Sequence, residues 1–349
     1  MALEDLIKLR ARRQGDAFHQ IRYDSRFDHW EKRASVRSRP SRILEYGDAD
    51  ALYFPPELIP AVGHPIVREK GDAVARELLV RRLYQYLDFT TELEEIAVIP
   101  VVSKISRRRS GLELPAGMQS DAFKILTDEA WHAQFSHELA LQVEQQTGVP
   151  VGTPVPPAFL RRLDDVRRRL PAEVRGAETL MFAVVSETLI SGILAHLPND
   201  DRLPAAVRDQ VRDHAEDEGR HHVYFRSVLR HLWPALTSRA HREIGPYIPE
   251  MIYAFLEPDY AAVGGSLRAV GLSEVEAEQV VSESWPRRRV AADVAGGARS
   301  IVKYLGEVGV LDDARTRDAF LAAGLLPADD STDVDTLSDR GPKHLPLAG

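Results

Sequence analysis

The chain has 349 residues, of which 44% are hydrophobic, so it is long enough to bury a large core. Its formal net charge of -8 argues against a nucleic-acid partner, and the short arginine clusters at 107–109 and 287–289 fit solvated helix ends. Because the chain has no cysteine, disulfides and thiolate metal sites are excluded, and a transition metal would need histidine and carboxylate ligands.

Residues 1–65 predict an irregular N-terminal arm that packs on the rest of the chain. The stretch that begins at Trp30 and ends with Pro65 contains five prolines, and proline interrupts regular structure. From Ile66 to about Ile99, apolar residues recur at helical spacing and predict one long helix. Pro100 is expected to end or kink that helix.

A second helix is predicted around Ile125–Phe135, and it carries the first metal-binding pattern. Glu129 and His132 form a Glu-x-x-His pair, which places a carboxylate and an imidazole one helical turn apart. Di-iron carboxylate bundles use this pair on two helices and add one glutamate from each of the two remaining helices. One such pair is common by chance, so a second pair and two further glutamates are needed to support a metal site.

A third helix, predicted from Glu178 to Leu197, is apolar nearly all round and is therefore expected to be buried. Glu187 lies in the middle of this helix. Because burying an unpaired carboxylate is costly, Glu187 needs a metal ion, a salt-bridge partner or a proton.

The second Glu-x-x-His pair is Glu218 and His221, on a helix predicted from Val207 to Leu232. His214 precedes Glu218 by four positions, so the three side chains project from one face of the helix. Two such pairs in one chain favour metal binding over a charged face turned to water. His214 is then a third nitrogen ligand, a hydrogen-bond donor to Glu218 or a surface residue.

The first long helix must supply the remaining glutamate, and Glu92, Glu94 and Glu95 are the candidates. Glu92 and Glu95 continue a polar stripe that is expected to face water, whereas Glu94 is in phase with Leu83 and Leu87. We therefore choose Glu94, although a small rotation of the helix would substitute Glu95.

Further helical patterns follow Trp233, and the sequence shows neither strand alternation nor a short repeat. The predicted fold class is therefore all-α, a four-helix bundle with additional helices and an irregular N-terminal arm. We expect the helical domain to cover residues 66–325. Residues 326–349, rich in aspartate and with proline and glycine near the end, predict a flexible tail.

These patterns resemble the ferritin-like di-iron N-oxygenase family, whose type member is the p-aminobenzoate N-oxygenase of aureothin biosynthesis. The resemblance rests on the motifs Asp128-Glu129-x-x-His132 and His214-x-x-x-Glu218-x-x-His221, with Glu187 between them and a glutamate thirty-odd residues before the first. It implies a ferritin-like bundle whose third histidine distinguishes the site from boxes of four glutamates and two histidines. The implied metal ligands are Glu94, Glu129, His132, Glu187, His214, Glu218 and His221.

The resemblance also implies two iron ions as cofactor and O2 as co-substrate. The implied reaction oxidises the amine nitrogen of a small aryl amine to hydroxylamine, nitroso or nitro, in natural-product biosynthesis. The alternatives are another di-iron oxidase, such as a hydroxylase, desaturase or azoxy-forming enzyme, and a non-catalytic iron-binding bundle. A homodimer is implied by the family alone.

The reductant and the location follow from what the sequence lacks. Without a glycine-rich dinucleotide motif, or cysteines for an iron–sulfur cluster, the chain would take electrons from a separate donor. The first residues, MALEDLIKLR, lack the apolar core of a signal peptide, and no uninterrupted apolar run reaches about 18 residues. We therefore expect a soluble cytoplasmic protein with no membrane partner.

Overall fold

The computed structural model describes residues 21–45, 51–152 and 155–327. Throughout these ranges the regular structure is helical and no β-strand occurs, which confirms the all-α prediction. Most of the predicted tail, from residue 328 onward, lies outside the described residues, so its flexibility stays a prediction.

The described helices vary widely in length, and the two longest run for 32 and 31 residues. In chain order they are α1 Trp30–Arg33, α2 Ser35–Ser38, α3 Pro65–Glu69, α4 Asp72–Glu92, α5 Ile99–Ser106, α6 Ala116–Thr147, α7 Ala158–Arg169, α8 Ala177–Leu194, α9 Ala205–Ala235, α10 Ser238–Ile244, α11 Ile248–Leu256, α12 Tyr260–Ala269, α13 Glu274–Ser284, α14 Arg287–Gly297, α15 Arg299–Glu307 and α16 Ala314–Ala322. Short 3-10 turns lie at Pro56–Leu58, Pro60–Gly63, Ala172–Val174, Leu197–Asn199, Gly245–Tyr247 and Val310–Asp312.

Four rods form the core of the protein, and the first of them is composite. A π-helical segment, Leu93–Val98, joins α4 to α5 without a break. This α4–π–α5 rod packs along α6, α8 packs along α9, and α6 meets α9 across the bundle. Because the facing side chains are apolar and buried, each large one contributes about 1.5–3 kcal/mol to stability.

The prediction of one helix from 66 to 99 is wrong at both ends. Gly71 has a φ of 97°, a left-handed conformation that glycine adopts without strain, and it separates α3 from α4. At the other end the helical path continues past Pro100 to Ser106. Pro100 lies in the first turn of α5, where proline is tolerated because the π turns before it have already changed the hydrogen-bond register.

The described part of the N-terminal region lies across the outside of α6 and α9. We call residues 21–45 the arm segment. Its contacts include a hydrogen bond from Leu44 N to Gln142 Oε1 of 2.8 Å and one from Ser41 Oγ to Glu138 Oε2 of 2.9 Å. The arm segment is therefore attached to α6 near the C-terminal end of that helix.

The apolar helix α8 is a core element. Among the described residues, the stretch Ala177–Asn199 has the length and hydropathy of a membrane span. However, 76% of its most apolar window is buried inside the protein. Its apolar surface is thus covered by the other rods, and the prediction of a buried helix around Glu187 is confirmed.

Candidate metal centre

The seven residues predicted as metal ligands meet at one buried site between the four rods. None of them exposes more than 2% of its surface. The site draws on every rod: Glu94 from the π segment, Glu129 and His132 from α6, Glu187 from α8, and His214, Glu218 and His221 from α9.

The donor atoms of these residues fall into two neighbouring groups, and within each group the atoms lie within 4.8 Å of one another. The groups are Glu94, His132 and His214, and Glu129, Glu187, Glu218 and His221. Donor sets of carboxylates and imidazoles suit Fe(II), Mn(II) and, less distinctively, Zn(II). Each group has enough donor atoms to hold one metal ion, so the two groups together could hold two.

Glu129 and Glu218 connect the two groups. Glu129 places Oε2 3.3 Å from His132 Nδ1 and Oε1 3.1 Å from His221 Nδ1. Glu218 Oε1 lies 3.3 Å from His214 Nε2 and 3.2 Å from His221 Nδ1. Each carboxylate therefore contacts histidines of both groups and could be shared by metal ions held in the two groups.

Glu94 occupies the site because the π segment turns it inward. Its Oε1 lies 3.1 Å from His214 Nε2. Of the other two candidates, Glu95 is exposed and Glu92 is half-buried. A π turn inserts extra residues into a helix and changes which side chains share a face, and such segments are frequent at functional sites.

Two aspartates to which the sequence analysis gave no role hold two of the histidines. Asp217 Oδ2 lies 3.1 Å from His132 Nε2, and Asp128 Oδ2 lies 3.2 Å from His221 Nε2. A carboxylate accepts hydrogen bonds, so Nε2 of each ring carries a proton, and Nδ1, once deprotonated, directs its lone pair toward the site. The sequence signal was present, because an aspartate precedes the glutamate in both Asp-Glu-x-x-His motifs.

The two motifs are paired crosswise, since the aspartate of each helix holds the histidine of the other. One position breaks this equivalence. His214 lies four residues before Glu218, whereas the residue four before Glu129 is Ile125, which is buried and apolar. One group therefore contains two imidazoles and the other contains one, so the two candidate metal positions differ in their ligands.

Several donor atoms of the site have no hydrogen-bond partner among the described residues. They are Glu94 Oε1 and Oε2, Glu129 Oε1, Glu187 Oε2, His214 Nε2 and Glu218 Oε2. Leaving one buried polar group unpaired lowers the stability of the folded state by about 1–3 kcal/mol. Cations bound among these converging oxygen and nitrogen atoms would therefore stabilise the site. Two divalent ions would balance four ionised glutamates, and the residues present therefore fit a two-metal centre.

The pKa values of the site are shifted because its carboxylates are buried and carry more negative charge than the neighbouring side chains neutralise. Burial, with repulsion from Glu218 and Glu129, raises the pKa of Glu187 well above its usual value, and burial raises the pKa of Glu94 to about 7. Burial opposes protonation of His132, but hydrogen bonds to Asp217 and Glu129 outweigh it and raise its pKa well above the usual value. Because metal ligands must be deprotonated, metal binding would release these protons.

The hydroxyl of Tyr86 on α4 is a further polar group close to the site. The hydroxyls of Tyr84 and Tyr224 donate to the carbonyls of Val149 and Met118, whereas the Tyr86 hydroxyl has no hydrogen-bond partner among the described residues. Burial, and the charge of Glu94 after it, raise the pKa of Tyr86. The phenol is therefore neutral and able to donate a hydrogen bond.

Aromatic rings cover the histidines on their other sides. Phe135 lies with its ring centroid 5.3 Å from that of His132 and 5.8 Å from that of His214. Phe27 of the arm segment stacks on His221 at 6.2 Å. These buried rings exclude water from the imidazoles.

Comparison with known proteins agrees with this geometry. The sequence model of the family described as p-aminobenzoate N-oxygenase AurF matches residues 28–309, a range that contains all four rods and the seven converging residues. The chain is also 25% identical over 294 residues to a 4-aminobenzoate N-oxygenase of Streptomyces thioluteus, a match that covers 82% of this chain and 85% of that protein. The chain therefore belongs to the AurF family of N-oxygenases and is an oxygenase.

Proposed function

We propose that this protein is a non-heme di-iron oxygenase that uses O2 to oxidise the amine nitrogen of a small aryl amine in natural-product biosynthesis. The observation that carries the proposal is the convergence of four glutamates and three histidines in two groups joined by Glu129 and Glu218. The name of the Streptomyces thioluteus relative supports an aryl amine as the substrate class.

The first oxidation balances as one amine, one O2, two electrons and two protons giving one hydroxylamine and one water. Further oxidation of the same nitrogen would give the nitroso and nitro compounds. Iron held in the site would supply the redox chemistry that activates O2. The two electrons come from a separate reductant.

The chain's own residues prepare the site for this reaction. Asp128 and Asp217 keep Nδ1 of His221 and His132 directed inward, and this preorganisation spares the cost of reorienting the rings. We propose that the hydroxyl of Tyr86, which has no hydrogen-bond partner among the described residues, donates to a polar group of the substrate.

We also propose that the protein is a cytoplasmic homodimer, with an arm at 1–65, a catalytic domain at 66–325 and a flexible tail at 326–349. These points rest on the sequence and on the family resemblance. Light scattering on the purified protein tests the dimer, and limited proteolysis tests the tail.

The function is tested first by metal content and then by products. The wild type, loaded with Fe(II) without oxygen, should hold about two irons per chain, and Glu218→Ala should hold fewer because it removes a bridging ligand. The loaded enzyme, given a reductant and 18O2, should transfer labelled oxygen to the nitrogen of 4-aminobenzoate or of another aryl amine in a panel. Labelled oxygen on carbon would instead indicate a hydroxylase. Two bound irons without any oxidised product would indicate an iron-binding bundle.

A further inference from the structure

We propose that the arm segment positions the metal centre, so that docking of the arm segment and binding of metal stabilise each other. Its residues Trp30 and Ser35 contact the two aspartates that orient the histidines. The inference rests on the proposed metal centre and adds residues that lie outside the four rods.

Trp30 donates a hydrogen bond to Asp128, the aspartate that contacts His221. Its Nε1 donates to both carboxylate oxygens of Asp128, at 2.8 and 2.9 Å, and Asp128 Oδ2 lies 3.2 Å from His221 Nε2. An indole N–H can only donate, so it fixes Asp128 as an acceptor. His221 Nε2 must then be the donor, so Nδ1 is the ring nitrogen that faces Glu129 and Glu218 and is free to bind metal once it is deprotonated.

Ser35 has the same role behind His132. Its Oγ donates to Asp217 Oδ2 at 2.6 Å and its backbone N donates to the same oxygen at 3.2 Å. Asp217 Oδ2 lies 3.1 Å from His132 Nε2. Arg220 of α9 also donates to Asp217, so the arm segment shares this carboxylate with the rod that carries it.

Two more contacts bring the arm segment to the remaining sides of the site. Phe27 stacks on the ring of His221 with an interplanar angle of 13°. Arg39 and Arg42 form ion pairs with Asp213, the residue before His214. The arm segment therefore contacts His221 directly and is attached to α9 at the residue before His214.

This arrangement has a thermodynamic consequence. Groups that orient a metal ligand through hydrogen bonds typically change metal affinity by about 10–100-fold when removed. If a docked arm segment tightens metal binding by some factor, bound metal must tighten docking by the same factor. An arm that only covers apolar surface would stabilise the fold without this reciprocal link.

The first experiment measures the Kd for Mn(II), a redox-stable probe, in the full chain. Trp30→Phe should raise the Kd by about fivefold or more, and Ser35→Ala by a smaller factor because the backbone N–H and Arg220 still hold Asp217. Tyr23→Phe is the matched control, since the Tyr23 hydroxyl also links the arm segment to α6, through Asp121 at 2.8 Å. Tyr23→Phe should change the Kd by less than about twofold.

The outcomes separate the two proposals. A wild type that binds neither Mn(II) nor Fe(II) would refute the metal centre itself. If the wild type binds Mn(II), and Trp30→Phe and Tyr23→Phe change the Kd equally or not at all, the positioning role of the arm segment is refuted. The proposed metal centre would still stand.

The second experiment uses the wild type and therefore stands even if Trp30→Phe fails to fold. Hydrogen exchange of the amides in residues 27–38 should slow when Mn(II) is added, because metal stabilises the docked arm segment by the ratio of its Kd in the undocked state to its Kd in the docked state. Exchange that is the same with and without Mn(II), at saturating metal, would overturn the inference.

Discussion

His214 Nε2 lies 3.1 Å from Glu94 Oε1, so the third histidine and the glutamate of the π segment face the same metal position. His214 breaks the equivalence of the two Asp-Glu-x-x-His helices, because Ile125 stands at the matching place on α6. The position near Glu94 thus has two imidazoles, and the other has one. The two ions should therefore differ in affinity and be separable by mutation.

We expect His214→Ala to weaken one metal position and spare the other. The change removes one of two imidazoles from the group of Glu94. Removing a group that only orients a metal ligand lowers metal affinity by about 10–100-fold, so removing the ligand itself should lower it by at least as much. Titration with Fe(II) without oxygen should then show about one tight ion per chain instead of about two. His137→Ala, a change at an exposed histidine of α6, is the control and should bind like wild type. Two tight ions in His214→Ala would make His214 a structural residue.

Three glutamates close together on the first rod allow a second comparison. Glu94→Ala should lose iron, because Glu94 is buried and contacts His214. Glu95→Ala should keep two irons and full activity, because Glu95 is exposed, and Glu92→Ala should behave similarly. Iron content per chain and the rate of amine oxidation are the measurements. Loss of iron in Glu95→Ala with none in Glu94→Ala would reverse the assignment.

The convergence of the seven residues could be anticipated from the sequence because the governing geometry is local. Residues three and four apart share a helix face, so Glu129 with His132 and Glu218 with His221 are recognisable without knowing how the helices pack. Glu187 is recognisable by its apolar surroundings. The phase of Glu94 is ambiguous in the sequence, because the π segment departs from the 3.6-residue period of an α-helix.

The non-local parts of the site could not be anticipated in the same way. The contact between Trp30 and Asp128 joins residues 98 positions apart, and the crosswise pairing of Asp128 and Asp217 depends on how α6 faces α9. Hydrophobic periodicity gives the buried face of a helix and not the identity of the helix opposite. The sequence does not reveal the break at Gly71, because one glycine in a helical pattern is normally tolerated.

The stability of the chelator-treated protein should fall as pH rises from about 6 to 9. The pKa values of His132 and His221 are raised above 6.5 in the folded state, so their contribution is complete below 6.5 and is lost as pH rises through the folded values. The raised pKa of Glu187 acts in the same direction, because the folded state keeps a proton that the unfolded state releases. Each proton difference contributes about 1.4 kcal/mol per pH unit. The measurement is the melting temperature across this range.

Saturating Mn(II) should flatten or reverse this pH dependence, because metal binding requires deprotonated ligands. Glu187→Gln should also flatten it in the chelator-treated protein, since glutamine does not titrate, while Glu95→Gln should leave it unchanged. A melting temperature that rises from pH 6 to 9 without metal would show that the buried carboxylate and imidazoles are not protonated as described.

Tyr86→Phe should make the protein more stable and less active. Its buried hydroxyl has no hydrogen-bond partner among the described residues, so its removal should gain up to about 1 kcal/mol in the free energy of unfolding, measured with urea. If the hydroxyl binds the substrate, kcat/KM for the preferred aryl amine should fall by about tenfold, while iron content stays at the wild-type value. Tyr84→Phe is the matched control: its hydroxyl donates to Val149 O, so that change should lower stability and leave kcat/KM unaltered. A Tyr86→Phe variant with unchanged kcat/KM would remove Tyr86 from the substrate site, and one that is less stable would show that its hydroxyl has a partner.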